Sequence, residues 1–100
     1  MNFDEVINNR ITHIKKTLAS KGKEYARENN RFHNFDRGAA ITGQTPTKVL
    51  SGMMLKHLIS VLDIVDDIDQ GVWPTTDLKD EKIGDLINYL ILLDGLIERK

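Results

Sequence analysis

The residues best suited to chemistry are concentrated in one short segment, residues 21–35. It holds four cationic side chains, three aromatic side chains, a histidine and three asparagines. Cationic donors suit a phosphate, whereas aromatic rings and amides suit a nucleobase. This composition predicts part of a nucleotide pocket, although a solvated helix end has a similar one. The candidate ligand-binding residues of the segment are Lys21, Tyr25, Arg31, Phe32, Asn34 and Phe35.

A second candidate group lies near the C-terminus, where Glu81, Asp85 and Asn88 fall within about 60° of one another on a helix. The rest of this arc is apolar, and carboxylates on an apolar face are costly unless they are paired. They could bind Mg²⁺, which prefers oxygen ligands, or they could pair with basic side chains from other helices. We favour ion pairing, because basic candidates exist: Lys21, Arg31 and Lys56.

Two further observations bear on the same pocket. The apolar stripe Ile7, Ile11, Ile14 and Leu18 continues at helical spacing to Lys21 and Tyr25, so we expect both to point inward or into a cleft. The alternative is that Lys21 snorkels and Tyr25 belongs to the core. His57 follows Lys56 on the apolar arc of another helix and is either a pocket donor or a satisfied core histidine.

The elements that must position these residues are all helical. Helical periodicity runs from Phe3 to about Arg27, and residues 31–40 form a loop or a short helix. Thr45 and Pro46 are typical of a helix start, and Gln70-Gly71 of its end near Asp69. Thr76 or Asp77 should cap a last helix that ends near Glu98, with Trp73 packed beneath it. We predict one all-α domain over residues 1–100, a compact bundle of three long helices and one short helix.

The middle helix is apolar around most of its circumference, and its polar residues occupy a narrow strip. Such a helix must be covered on nearly all sides, which two neighbouring helices hardly achieve. We therefore predict a homo-oligomer, a dimer or a tetramer, that associates through this helix. The alternative is the central helix of a monomeric bundle.

Composition excludes several classes of function. The 100 residues are 40% hydrophobic and 29% charged, as in ordinary globular domains, and the lack of cysteine excludes disulfides and thiolate metal sites. No apolar run is long enough to cross a membrane, and the first residues do not have the pattern of a signal peptide. Both observations are typical of a cytoplasmic domain. The net charge of −1 argues against binding duplex nucleic acid. We find no catalytic nucleophile and no glycine-rich phosphate loop.

Four fragments of the chain resemble a small phage family associated with nucleotide modification. They are residues 21–35 (K-x-x-E-Y-A…R-F-H-N-F), 52–57 (G-M-M-L-K-H), 60–63 (S-V-L-D) and 81–90 (E-K-I-G-D-L-I-N-Y-L). The resemblance covers nearly the whole chain and implies a phage or prophage source and the handling of nucleotides. More specifically, the chain resembles phage sponges that bind the cyclic-nucleotide signals of CBASS immunity without cleaving them. Such sponges are symmetric oligomers with pockets at subunit interfaces.

The chain is also similar, more distantly, to the all-α MazG-like nucleotide pyrophosphatases. Their two carboxylate pairs gather around Mg²⁺, which activates water for attack at phosphorus. The corresponding residues here are Asp63, Asp66, Glu81 and Asp85. In this chain aspartates stand where the family has the two glutamates of its first pair. The two carboxylates of the second pair are one residue further apart than in the family.

We therefore predict that the protein binds a small nucleotide, a cyclic di- or oligonucleotide, in the host cytoplasm. We expect no catalytic residue and no cofactor. The alternative is a Mg²⁺-dependent pyrophosphatase. Phosphates would be held by Lys21, Arg31, Lys56 and His57. A base would stack on Tyr25, Phe32 or Phe35, and Asn34 would contact its edge. Glu81 and Asp85, with Asn88 beside them, would orient the basic residues or bind a base or ribose.

Overall fold

The all-α class is confirmed. The computed structural model describes residues 1–25 and 30–99, with side chains at 1–19 and 30–99. Each of the four elements in this part of the chain is an α-helix. Their bounds are α1 (Phe3–Tyr25), α2 (His33–Thr42), α3 (Pro46–Asp69) and α4 (Thr76–Glu98).

Local chemistry sets the ends of α3. The Thr45 hydroxyl accepts a hydrogen bond from the Lys48 backbone N–H at 3.2 Å, and Pro46 occupies the first turn. Gln70 caps the C-terminal end, and Gly71 follows with a φ of 85°, a backbone conformation that favours glycine. These local contacts set the bounds of α3 at Pro46 and Asp69.

The start of α4 differs by one residue from the prediction. Its cap is Thr75, not Thr76 or Asp77, and the Thr75 hydroxyl accepts from the Leu78 N–H at 3.1 Å. All three residues have side chains that cap helices well, so composition alone does not choose among them. Thr75 is the one that has the extended backbone which a cap requires.

The core lies where α3 packs against α2 and α4. Leu50 on α3 is fully buried, and Phe35 from α2 and Leu96 from α4 pack around it. Partly buried apolar side chains surround this centre: Phe32, Ala39, Met54, Tyr89, Leu92 and Leu93. The C-terminal half of α4 therefore rests on a continuous apolar cluster.

An ion pair joins α2 to the end of α4. Arg99 donates from Nη2 to Asp36 Oδ1 at 2.7 Å and from Nη1 to Asp36 Oδ2 at 2.9 Å. The Asn30 amide also donates to Asp36 Oδ2, at 2.9 Å. The hydrogen bond from Arg99, followed by that from Asn30, lowers the pKa of Asp36 from 3.8 to about 2. The pair fixes the end of α4 beside the core.

α1 lies apart from this core and packs along α4. The molecule measures 44 × 26 × 22 Å, longer than it is wide, because helices of 23 or 24 residues are about 35 Å long. Ile7 and Ile11 are exposed, although the apolar stripe predicted that they face inward. The stripe identified an apolar face of α1 correctly, but in the described structure no second helix covers that face near its N-terminus.

Trp73 also differs from its prediction. Trp73 is 74% exposed and the neighbouring Val72 is 59% exposed. Trp73 therefore does not pack beneath α4. The turn after α3 presents both side chains to solvent in the single chain. An exposed tryptophan beside an exposed valine is an unusually apolar surface for a turn.

Candidate functional site: a cleft between α1 and α4

A cleft of about 170 Å³ opens between α1 and the N-terminal half of α4. Most of its lining residues are polar or charged, and they include three carboxylates, two basic side chains and one buried amide. The lining residues are Arg10, His13, Ile14 and Thr17 from α1, and Asp80, Glu81, Gly84, Asp85 and Asn88 from α4.

Asp80 holds the two helices together at this cleft. Arg10 donates to the Asp80 carboxylate at 3.3 Å and to the Asp80 backbone carbonyl at 3.2 Å. His13 Nε2 lies 3.6 Å from the second carboxylate oxygen. The Arg10 side chain is largely buried, so the contact is worth more than an exposed ion pair would be.

Gly84 makes room for this contact. A Cβ atom at position 84 would lie 3.1 Å from Arg10 Nη1, which is closer than nearly all such contacts in proteins. The bare backbone at Gly84 therefore lets the Arg10 guanidinium lie across α4. It also leaves that part of the cleft wall without a side chain.

Asp85 connects the cleft to α3. Its Oδ2 atom lies 3.7 Å from Nδ1 of His57, an ion pair when the imidazole is protonated. The His57 ring stacks obliquely on Tyr89, with ring centroids 4.6 Å apart. His57 is therefore held between a core aromatic ring and a carboxylate of the cleft.

Asn88 is the buried polar residue of the cleft. Its side chain is 93% buried, because the residue retains 7% of its accessible surface. Its Oδ1 atom is buried and has no hydrogen-bond partner in the described structure. An unsatisfied buried acceptor costs about 1–3 kcal/mol. This atom lacks a donor within the described residues, and the side chain that carries it lines the cleft.

The structure brings together three of the predicted residues, since Glu81, Asp85 and Asn88 line the same cleft. His57 reaches this group through Asp85. Lys56, by contrast, is exposed on α3 and is not among the cleft-lining residues.

The predicted residues of the 21–35 segment whose side chains the structure describes are not among those that line this cleft. Arg31 and Asn34 are exposed, and Phe35 lies in the core with its ring 6.2 Å from that of Tyr89. Phe32 packs toward Gly95, and the Arg99 guanidinium lies over its ring at 5.1 Å. Lys21 and Tyr25 fall outside the side chains that the structure describes.

Sequence reasoning missed Arg10, His13, Thr17 and Asp80. A signal existed: Arg10, Ile14 and Thr17 share one face of α1 at helical spacing, beside the apolar stripe on which the prediction relied. On α4, Asp80 and Gly84 precede Asn88 at intervals of four residues. Nothing local, however, indicates that Arg10 pairs with a residue 70 positions away.

The residues present do not fit the magnesium centre of the pyrophosphatase alternative. Asp63 and Asp66 are exposed on α3, whereas Glu81 and Asp85 line the cleft. Within residues 1–19 and 30–99 no group of three or more His, Asp or Glu side chains is placed to hold a metal ion.

Comparisons with known proteins found no matching family, no matching curated protein and no matching solved structure. The phage-family, sponge and MazG-like resemblances therefore stay predictions. Among the described helices, none is both long and apolar enough to cross a lipid bilayer.

Proposed function

We propose that the protein binds a small nucleotide in the α1–α4 cleft and sequesters it without cleaving it. The observation that carries this proposal is Asn88, whose buried Oδ1 atom has no donor in the described structure. The oxygen is closed off in the empty cleft, so a ligand N–H or O–H group would reach it through a small rotation of the Asn88 amide, which lines the cleft.

The chemistry around Asn88 favours a nucleobase or a ribose. Glu81 and Asp85 add carboxylate oxygens to the same cleft, so its inner surface is rich in acceptors. A base edge with adjacent N–H groups, such as that of guanine, or a pair of ribose hydroxyls would supply the matching donors. A bare phosphate would meet repulsion from these carboxylates.

The phosphates would lie toward the α1 side, where Arg10 and His13 carry the basic groups. Ligand pockets usually enclose about 300–1,000 Å³, and this cleft encloses about 170 Å³. The cleft is therefore smaller than a typical ligand pocket, so it would hold a single base and leave the sugar and phosphates at its mouth. Lys21, Arg31 and Lys56 remain proposed phosphate contacts.

Two considerations favour sequestration over hydrolysis. Pyrophosphatases of the MazG type rely on Mg²⁺ held by clustered carboxylates, and the described residues lack such a cluster. The resemblance to phage sponges suggests the biological role, in which a bound cyclic nucleotide is withheld from a host immune effector in the cytoplasm.

Ligand recovery tests the proposal directly. The protein is incubated with Mg²⁺ and a panel of cyclic dinucleotides and nucleoside triphosphates, then washed, heated and centrifuged, and the supernatant is separated by chromatography. Intact ligand is the expected result. Monophosphate with pyrophosphate would instead establish the pyrophosphatase, and the absence of any retained nucleotide would refute nucleotide binding.

Calorimetry with the recovered ligand then tests the site. Asn88→Ala should weaken binding about 10- to 100-fold, because one buried hydrogen bond is lost. Asn8→Ala is the matched control, since Asn8 is exposed on α1 and is not among the cleft-lining residues, and its affinity should be close to that of the wild type. Equal affinities for the two variants would place the ligand elsewhere.

We also propose that the protein acts as a homo-oligomer, a dimer or a tetramer, assembled through α3. This proposal is supported by the single chain itself, in which the buried apolar side chains are few and much of α3 is exposed. The fully or nearly buried apolar side chains of the described structure are Phe35, Val49, Leu50, Ile64 and Leu96.

A further inference from the structure

One face of α3 is a continuous apolar strip that stays exposed among the described residues. At 100° per residue its five members fall within an arc of about 120°. They are Leu55, Leu58, Ile59, Leu62 and Val65, all of them 38% to 55% exposed. The opposite face carries Leu50, His57 and Ile64, which pack inside the chain. A contiguous exposed apolar strip with a polar border is the usual sign of a protein interface.

Opposite charges lie on one border of this strip. Lys56 and Asp63 are separated by seven residues, so they lie nearly above one another on the same side of the helix. Both are exposed, and neither forms an ion pair within the described structure. The spacing is too long for a contact between them within one helix, since helical pairs form three or four residues apart.

The two features have the same centre. The strip runs from residue 55 to residue 65, so its midpoint is Ser60, and the midpoint of Lys56 and Asp63 lies between Ile59 and Ser60. A twofold axis at this point would bring the strip of one copy onto the strip of another in antiparallel orientation. Each Lys56 would then face Asp63 of the other copy, which gives two symmetric ion pairs.

From this coincidence we infer that two copies of the chain pair through α3, antiparallel, about a twofold axis near Ile59. A parallel twofold pair would place the Lys56–Asp63 borders of the two copies on opposite sides of the interface, so neither charge would meet its counterpart. Antiparallel pairing is therefore selected by charge, whereas the apolar strip supplies most of the burial. This inference specifies the self-association proposed above and does not depend on nucleotide binding.

The turn after α3 extends the same interface. In an antiparallel pair the C-terminal end of one α3 lies beside the N-terminal end of the other. Val72 and Trp73, which are largely exposed, would then lie close to the start of the second copy's α3. The strip alone is only about 15 Å long, and stable interfaces bury about 800 Å² per partner, so this additional apolar surface matters.

Charge reversal tests the inference in nucleotide-free protein. Sedimentation equilibrium should show a dimer, and Lys56→Asp or Asp63→Lys alone should weaken the dimer at least tenfold at low salt. The double variant K56D/D63K restores opposite charges across an antiparallel interface, so its dissociation constant should return to within about threefold of the wild type. Ile41→Arg, on an exposed apolar residue of α2, is the control and should leave the dimer intact.

The chain's single tryptophan gives a second readout. Emission from Trp73 should shift to shorter wavelength as the protein concentration passes through the dissociation constant, and Ile59→Arg should abolish this shift. A wild-type monomer at all concentrations, or a double variant as weak as the single reversals, would overturn the antiparallel pair. A monomer that still binds nucleotide would leave the proposed ligand site intact, and a dimer without ligand would refute only that site.

Discussion

The two halves of α4 pack against different neighbours by different chemistry. The C-terminal half, from Tyr89 to Leu96, adds apolar side chains to the core around Leu50. The N-terminal half meets α1 through the Arg10–Asp80 contact and lines a polar cleft that contains the unpaired Asn88 amide oxygen. One helix therefore stabilises the fold at one end and presents acceptor groups at the other. Stability and binding should consequently be separable by mutation.

The largest expected effect is at the apolar end. Leu50→Ala should lower the free energy of unfolding by about 2–5 kcal/mol, because Leu50 is fully buried and its truncation leaves a cavity. Denaturant unfolding at fixed protein concentration measures this loss. Leu90→Ala, at a half-exposed position of α4, is the control and should cost far less. Equal losses would contradict the placement of the core.

A smaller effect is expected at the polar end. Asp80→Asn removes the charge that Arg10 and His13 face, so we expect a loss of about 1 kcal/mol in the free energy of unfolding. Hydrogen exchange should show faster opening of α1 and little change in the core of α3. Protection lost uniformly across all four helices would mean that the two ends are not independent.

The smallest effect is expected from pH. The pKa of Asp36 is lowered to about 2, so its charged form stabilises the fold above about pH 4. This contribution is lost as pH falls from about 4 to about 2. Asp36 is partly exposed, and solvent screening limits the contribution to about 0.5 kcal/mol.

Urea unfolding across this pH range checks the sign. Asp36→Asn should be less stable than the wild type at pH 5, and the difference should vanish near pH 2. Arg99→Gln should lose the same pH-dependent contribution, because it removes the partner. A difference between wild type and Asp36→Asn that grows toward low pH would contradict the assignment.

Features fixed by neighbouring residues were predictable from the sequence. Thr45 and Pro46 start α3 because a capping hydroxyl and a preset backbone angle act locally, and Gln70-Gly71 ends it for similar reasons. The grouping of Glu81, Asp85 and Asn88 also followed from helical spacing alone. Their common cleft is the part of the site that the sequence anticipated.

Features that depend on distant partners were not predictable in the same way. Helical periodicity shows that Ile7 and Ile11 share a face, but it does not show whether another helix covers them. Arg10 meets Asp80 across 70 residues, and no local pattern joins these positions. Trp73 was expected to pack beneath α4, yet it lies on the surface because the turn directs it outward.

The buried amide of Asn88 implies a trade-off for anyone who engineers this protein. A leucine at this position has the same branched shape as asparagine and would remove the unpaired oxygen, and the empty fold should become more heat-resistant as a result. A selection for thermal tolerance alone would therefore tend to discard Asn88. Stabilised variants intended to keep their ligand should be drawn from positions around Leu50, with residue 88 held constant.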